Sequence, residues 1–315
     1  MKVEEYISGI RHSKYEILAK AITLIESSLE KDKKKAIKLI DKCIPFSGES
    51  IRIGISGTPG VGKSTFIEKL GFYLKKKYKI AILAIDPSSS ISKGSILGDK
   101  TRMNQLTNEK NIFIRPSPSR GQLGGVCNHT RDSIILCEAA GFNIILIETV
   151  GVGQSEIMVE QMTDYFIYMT LCQNGDELQF IKKGVLELSN LILINKSDQN
   201  KQKAKEVMFL LNNTIQNFQN HKKQTVMTNS AHNHSDTKAV WNCINNFFKE
   251  NTLNGQIKLN RQKQNKFWIK ANIQTEFNNL LFRNEYVKKQ ILDITNTNTK
   301  KVTTRIINKL IKEGL

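Results

Sequence analysis

The middle of the chain alternates short, almost wholly apolar runs with longer segments in which apolar residues recur every three to four positions. The runs have the length of buried strands, and the segments between them have the period of amphipathic helices. The apolar runs lie at 51–55, 80–85, 112–114, 143–147, 165–171, 191–194 and 225–227. This alternation predicts an α/β fold with a mainly parallel sheet and helices on both of its faces.

Both ends of the chain have a helical pattern instead. Near the start, Leu18, Ala21 and Leu24 share one helical face, and from about residue 255 long segments rich in Gln, Asn and Lys carry an intermittent apolar stripe. We therefore predict N-terminal helices and a C-terminal helical arm that packs on the body or pairs with another subunit. The predicted parts are an N-terminal segment at 1–48, an α/β domain at 49–252 and a C-terminal arm at 253–315.

The turn after the first apolar run has the pattern G-x-x-x-x-G-K-[ST] of a P-loop. Its glycines let backbone N–H groups surround an anion, and the helix that follows adds the positive end of its dipole. Lys63 is expected to reach the β- and γ-phosphates and Ser64 to bind Mg²⁺. A tight turn that binds nothing is the alternative. The predicted phosphate-binding residues are Gly57, Thr58, Pro59, Gly60, Val61, Gly62, Lys63, Ser64 and Thr65.

A guanine-binding motif is predicted where Asn195, Lys196 and Asp198 form N-K-x-D after the sixth apolar run. A carboxylate at Asp198 can accept hydrogen bonds from the ring N–H and the exocyclic amine of guanine. Adenine offers no such pair, so the contact favours GTP over ATP. The stem of Lys196 can cover the base. A second guanine-contacting loop is expected after the seventh run, at Ser230, Ala231 and His232.

Acidic residues at or after the ends of other apolar runs are candidates for binding the metal ion and for taking part in hydrolysis. Glu148 ends the most apolar run and can hold Mg²⁺ through water, while the Gly151 N–H can meet the γ-phosphate. Asp86 and Asp99 can bind Mg²⁺ or position the attacking water, with a turn or a helix cap as the alternative role. Gln154 can orient the water or be an ordinary loop residue.

Composition narrows the class of protein. The chain has 315 residues and a net charge of +18, but its lysines are spread over predicted helix faces without an arginine-rich run, so no specific nucleic-acid partner is expected. No apolar stretch reaches the roughly 18 residues that span a bilayer, and the first residues lack the layout of a signal peptide. Five scattered cysteines fit a reducing compartment. We therefore expect a cytoplasmic protein that does not enter membranes.

Several stretches, among them the long and unusual loop at 94–103, carry a family resemblance together with the two nucleotide motifs. The stretches are 18–27, 86–89, 94–103, 113–119, 123–126, 138–141, 148–156 and 175–184. The chain resembles the methylmalonyl-CoA mutase-associated GTPase family (MeaB, also called ArgK), which has the cobalamin type A protein as its human relative. The resemblance is dense over residues 15–200 and loose over 200–290.

The resemblance implies a metallochaperone-type GTPase that acts as a homodimer. Its family members convert GTP to GDP and phosphate, gate adenosylcobalamin loading onto a methylmalonyl-CoA-type mutase, and protect or reactivate that enzyme. Mg²⁺ is the implied metal, and no tightly held cobalamin is expected on this chain. The implied catalytic residues are Lys63, Asp99, Glu148 and Lys183, and the implied Mg²⁺ set is Ser64, Asp86, Asp99 and Glu148.

Three places depart from the family pattern. Lys93 and Phe180 stand where glycine is usual, and Gln173-Asn174 stands where the family prefers Pro-Gly. All three lie in the expected switch loops rather than in the phosphate cradle. Nucleotide binding is therefore expected independently of them, and we hypothesise that Phe180 contacts the partner.

Two alternative functions fit parts of the sequence. A nickel-insertion GTPase would need a Cys/His metal motif; His232 and His234 lie two positions apart, but no cysteine or acid cluster accompanies them. An ATP-dependent kinase or transport-linked protein shares the P-loop. It is opposed by Asp198, whose carboxylate ATP would leave unpaired.

Overall fold

The fold is taken from a computed structural model of the chain. The structure describes residues 1–86, 106–107, 109–118, 123–149, 155–172, 183–216, 218, 223–230, 233–292 and 299–312. Its contacts separate two compact units, Met1–Lys258 and Leu259–Leu315. The three-part division made from the sequence stays a prediction.

Three helices precede the sheet. They are α1 (Val3–Arg11), α2 (Tyr15–Ile25) and α3 (Glu30–Cys43), followed by a 3₁₀ turn at Ile44–Phe46. Their apolar faces are buried at Ile10, Leu18 and Leu39, each with no exposed surface. The apolar period at the start of the chain therefore marks the buried face of each of these helices.

Seven parallel strands form one sheet in the order β3-β2-β4-β1-β5-β6-β7. Six of the seven apolar runs lie within one of these strands, and the run at 143–147 begins one residue before its strand. The strands are β1 (Ile51–Gly57), β2 (Ile80–Asp86), β3 (Ile112–Pro118), β4 (Ile144–Glu148), β5 (Tyr165–Leu171), β6 (Leu191–Asn195) and β7 (Thr225–Thr228). Central β1 pairs with both β4 and β5, so that Ile53 lies beside Leu146 on one side and Tyr165 on the other.

Helices cover both faces of this sheet. On β6, Leu191 and Leu193 join the core under the helices at 63–74 and 234–253, whereas Ile192 and Ile194 join the core under the helices at 183–188 and 201–216. Because successive strand residues point to opposite faces, these two cores lie on opposite sides. The predicted α/β class is confirmed. The helices are α4 (Lys63–Leu74), α5 (Leu123–Ala139), α6 (Ser155–Glu160), α7 (Lys183–Leu188), α8 (Lys201–Gln216) and α9 (His234–Leu253).

The chain ends in three further helices, α10 (Gln256–Arg283), α11 (Glu285–Leu292) and α12 (Thr299–Lys312). Within the second unit, α11 packs against α12, and the Lys309 ammonium lies 3.7 Å from the centre of the Tyr286 ring. Across the described ranges, no helix has both the length and the hydropathy needed to cross a membrane.

Candidate functional site

The sheet brings the predicted nucleotide motifs to one edge. The P-loop follows β1 at the centre of the sheet, Glu148 ends β4 beside it, and Asn195 ends β6. Because all seven strands are parallel, their carboxyl ends lie on the same edge, where open α/β sheets bind ligands. Residues that are 84 and 134 positions apart in the chain are hydrogen bonded there.

Two glycines of the P-loop are required by close contacts. A Cβ atom on Gly57 would lie 2.3 Å from the Met169 carbonyl oxygen, and one on Gly62 would lie 2.7 Å from Asn195 Nδ2. Gly62 also has a φ of 97°, in the left-handed region that side chains disfavour. Glycine is therefore needed at both positions, because β5 and the guanine-binding motif lie too close to the loop for a side chain.

Lys63 lies folded into the loop that precedes it. Its ammonium donates hydrogen bonds to the carbonyl oxygens of Gly57 at 2.8 Å and Thr58 at 3.2 Å, and the residue is only 8% exposed. Burial lowers the pKa of Lys63, and the carboxylates of Glu148 and Glu156 oppose that change. The cation is thus held inside the loop at the start of α4, where an anion would meet it.

Ser64 and Glu148 lie side by side. Ser64 Oγ donates a hydrogen bond of 2.8 Å to Glu148 Oε1, which joins the first turn of α4 to the end of β4. A hydroxyl and a carboxylate oxygen are the kind of hard ligands that Mg²⁺ takes. Two of the four residues predicted to bind the metal are therefore in direct contact, and the donor atoms fit that ion.

The guanine-binding motif contacts the P-loop directly. Asn195 is 2% exposed and its Nδ2 donates to the Val61 carbonyl oxygen at 2.8 Å. Lys196 Nζ donates to the Gly60 carbonyl oxygen at 3.1 Å, with Lys196 itself at a φ of 56°. Asp198 follows on an exposed turn. The two motifs therefore form one connected site.

Sequence reasoning missed Asn229, which holds the guanine-binding motif from behind. Asn229 Nδ2 donates to Asn195 Oδ1 at 2.7 Å, and its backbone N–H and C=O bond Ile194 and Ser197. The residue is 1% exposed. The sequence feature that could have indicated Asn229 is its position after β7, directly before Ser230. Ser230 is buried, and its N–H donates to Asp236 Oδ2 at 2.9 Å.

A second group that the sequence analysis did not single out lies behind the P-loop. Glu156 is 4% exposed at the start of α6, and it accepts a hydrogen bond from Ser56 Oγ at 3.3 Å. Ser56 Oγ in turn accepts one from Thr149 Oγ1 at 2.8 Å. No fixed spacing links these residues, so only the fold reveals them.

Several predicted site residues lie outside the described part of the chain. For Asp86 and Lys183 the structure describes the backbone, at the end of β2 and the start of α7, but not the side chain. The residues wholly outside are Lys93, Asp99, Gly151, Gln173, Asn174, Gln154, Phe180, Ala231 and His232. Their roles stay predictions.

Comparison with known proteins identifies the family. The family described as "Methylmalonyl Co-A mutase-associated GTPase MeaB" matches residues 18–286, which include both nucleotide motifs. The chain belongs to the MeaB family. It is therefore a P-loop GTPase that binds guanine nucleotide and hydrolyses GTP, and the family resemblance noted from the sequence is confirmed.

Individual MeaB-family relatives cover most of the chain. The chain is 38% identical over 305 residues to "GTPase ArgK" of Escherichia coli (strain K12), a match that covers 93% of this chain and 91% of that protein. It is 38% identical over 284 residues to "Methylmalonic aciduria type A homolog, mitochondrial" of Mus musculus, covering 85% and 68%. A solved structure described as a "LAO/AO transport system kinase" matches with a TM-score of 0.77 and 31% identity, covering 98% and 97%.

Proposed function

We propose that this MeaB-family GTPase is a chaperone for an adenosylcobalamin-dependent mutase of the methylmalonyl-CoA type. GTP hydrolysis gates the loading of the cofactor, and the protein protects or reactivates the mutase. The observation that carries the proposal is the family match over residues 18–286, because it extends well beyond the nucleotide motifs into α2, α9 and α10. The name of the family associates its members with methylmalonyl-CoA mutase.

The contacts of Lys63, Ser64 and Glu148 support their proposed roles in hydrolysis. Lys63 exchanges its bonds to the loop carbonyls for bonds to the β- and γ-phosphates, since both sets of acceptors are oxygen atoms within reach of the start of α4. Ser64 would bind Mg²⁺, and Glu148 beside it would hold the ion through water. Bound there, Mg²⁺ supplies positive charge that stabilises the phosphate oxygens during transfer. Asp86, Asp99 and Lys183 complete the proposed set.

Guanine selection is proposed to depend on Asp198. Asn195 and Lys196 are anchored to the P-loop, so the turn that carries Asp198 has a fixed distance from the phosphate cradle. A carboxylate at that distance can accept from the two N–H groups on the guanine edge. Ser230, tied to Asp236 in α9, supports the second wall of the base pocket.

Homodimer formation through the C-terminal arm is part of the proposal. On α10, Ile269, Ile273, Phe277 and Leu280 recur at helical spacing, and each is at least 50% exposed in the single chain. Such a stripe favours burial against another subunit. The cytoplasmic location and the lack of a specific nucleic-acid partner stay predictions from the sequence.

Phosphate release measured with a purified mutase tests the chaperone role. The protein is assayed alone, with the cofactor-free mutase and with the cofactor-bound mutase, using GTP and, in parallel, ATP. We expect the mutase to raise the rate with GTP, to do so differently in its two forms, and to co-elute with the chain in size-exclusion chromatography. ATP should support little turnover, because its base leaves Asp198 unpaired.

Lys63→Ala is the matched control for this assay. It should remove phosphate release under all conditions, which excludes a contaminating phosphatase in the mutase preparation. An unchanged GTP rate and no co-elution with either form of the mutase would remove the mutase from the proposal. The GTPase assignment would stand in that case, since it rests on family membership.

A further inference from the structure

The ends of β1 and β4 are joined by a short chain of buried polar side chains. Ser56 and Thr149 have no exposed surface, and Glu156 is 4% exposed. Thr149 Oγ1 donates to Ser56 Oγ at 2.8 Å, and Ser56 Oγ donates to Glu156 Oε1 at 3.3 Å. The two strands are also tied by the backbone, since the Thr149 N–H donates to the Ile55 carbonyl oxygen at 3.0 Å.

The carboxylate of Glu156 sets the direction of these bonds. A hydroxyl group has one hydrogen to donate, and an ionised carboxylate only accepts. Ser56 therefore directs its hydrogen to Glu156 and leaves its lone pairs for Thr149. Without an acceptor at Glu156, the Ser56 hydroxyl can turn its hydrogen toward Thr149, and the ordered arrangement is lost. Buried networks of this kind act as units rather than as separate pairs.

Each of the two hydroxyl residues lies next to a group of the hydrolytic site. Ser56 directly precedes Gly57, whose carbonyl oxygen binds the Lys63 ammonium. Thr149 directly follows Glu148, whose Oε1 binds the Ser64 hydroxyl. A displacement of either hydroxyl residue therefore moves the adjacent backbone, and displacements of about 1 Å are enough to reduce a rate strongly.

We infer that Glu156 is a positioning residue for GTP hydrolysis. Through Ser56 and Thr149 it fixes the strand ends that carry Gly57 and Glu148. Glu156 does not touch the nucleotide in this scheme; it acts by holding residues that do. The inference concerns hydrolysis by the chain alone, so its test needs no mutase and its failure leaves the chaperone proposal untouched.

Steady-state GTP hydrolysis of four variants tests this role. Glu156→Leu removes the acceptor, Glu156→Gln keeps an oxygen for Ser56, Ser56→Ala removes the central hydroxyl, and the fourth variant combines Glu156→Leu with Ser56→Ala. We expect Glu156→Leu and Ser56→Ala each to lower kcat by roughly tenfold, within the range of coupling between contacting residues, with less than about a threefold change in KM for GTP. Glu156→Gln should keep most of the activity.

The double variant separates positioning from a general loss of structure. If Glu156 acts through Ser56, adding Glu156→Leu to Ser56→Ala should lower kcat little further. If the kcat of the double variant instead falls by the product of the two single losses, the inference is wrong. An unchanged kcat in either single variant would also overturn it. GDP binding and thermal melting report the folded fraction of each variant. Ser133→Ala is the matched control, because Ser133 is equally buried on α5 and its hydroxyl donates to the His129 carbonyl oxygen of the same helix. The kcat of this variant should equal that of the wild type.

Discussion

Asn195 and Lys196 bind the carbonyl oxygens of Val61 and Gly60, so the residues that precede the guanine contact also shape the phosphate loop. Recognition of the base and of the phosphates is therefore coupled through two side chains. Asn229 adds a third contact by bonding Asn195 Oδ1. Single substitutions in this group test base selection and loop shape separately.

Asp198→Asn should change base selection. An amide at this position can accept one hydrogen bond but presents an N–H₂ group toward the exocyclic amine of guanine. We expect the affinity for GDP to fall by about tenfold or more, and the affinity for xanthosine diphosphate, which has a carbonyl at that place, to rise relative to GDP. Isothermal titration with both nucleotides measures the change.

Glu206→Gln serves as the control for Asp198→Asn. It makes the same change of charge on an exposed position of α8 and should leave both affinities as in the wild type. An unaltered preference for guanine in Asp198→Asn would show that another group reads the base.

Gly62→Ala should disrupt the loop. The new Cβ would lie 2.7 Å from Asn195 Nδ2, and the φ of 97° disfavours any side chain. We expect the GDP dissociation constant to rise at least about tenfold, since the contact between the two motifs must open. Gly141→Ala is the control: its φ is 81°, but in the described part of the chain no atom beyond its chain neighbours lies within 4 Å of the added Cβ.

The comparison of the two glycine variants distinguishes strain from contact. Gly141→Ala should lower the melting temperature and leave the GDP dissociation constant unchanged. Equal losses of GDP affinity in the two variants would mean that backbone strain, rather than the contact with Asn195, governs nucleotide binding.

At the scale of secondary-structure elements, one buried ion pair fixes the entry to the sheet. Arg52 on β1 donates two hydrogen bonds, of 2.8 and 2.9 Å, to Glu138 on α5. The Glu138 carboxylate also accepts from Ser50 Oγ and from the Gly48 N–H. The segment before β1, the strand and α5 are thus joined at one carboxylate that is almost fully buried.

Glu138→Ala should destabilise the fold without affecting the nucleotide site. It leaves the Arg52 guanidinium and two further donors without their acceptor. Removing one partner of a buried ion pair lowers the free energy of unfolding by about 3 kcal/mol. Urea unfolding followed by circular dichroism measures that loss. Glu4→Ala removes an exposed partner of Lys42 and should leave the urea midpoint unchanged. A Glu138→Ala midpoint equal to that of the wild type would contradict the role given to this pair.

Patterns within short stretches predicted the elements well. The seven apolar runs became strands because a strand buried on both faces needs a continuous apolar sequence, and the P-loop and N-K-x-D have fixed spacing. Glu138 and Glu156 belong to stretches that carry the family resemblance, but no buried role was predicted for either, because an acid in a helical pattern is ordinarily solvated. Their partners, Arg52 and Ser56, lie 86 and 100 positions away, and only the order of the strands brings them together.

At the scale of the whole molecule, one buried carboxyl group makes the free energy of unfolding of the unit Met1–Lys258 depend on pH. Burial raises the pKa of Asp132 on α5 to about 6 from its ordinary 3.8, while the Arg131 guanidinium opposes the change. The folded chain thus prefers the protonated carboxyl. The contribution of Asp132 to the free energy of unfolding is fully present below about pH 4 and is lost as the pH rises through about 6.

Asp132→Asn should therefore stabilise the protein near neutral pH. The amide resembles the protonated carboxyl and carries no charge, so the variant should exceed the wild type by about 1–2 kcal/mol at pH 7.5. The difference should shrink toward zero at pH 4.5. Urea midpoints at the two pH values measure it. A difference independent of pH would assign the effect to packing rather than to ionisation.

The central place of β1 in the sheet has a consequence for synthesis. Both neighbours of β1 come much later in the chain than β1 itself, since β1 ends at Gly57 whereas β4 begins at Ile144 and β5 at Tyr165. At translation rates of roughly 5–20 residues per second, the ribosome needs roughly 5–20 seconds to make the residues that separate β1 from β4. During that interval the emerging strand Ile51–Gly57 has neither of its sheet partners, and its apolar side chains are a target for chaperones that bind nascent chains.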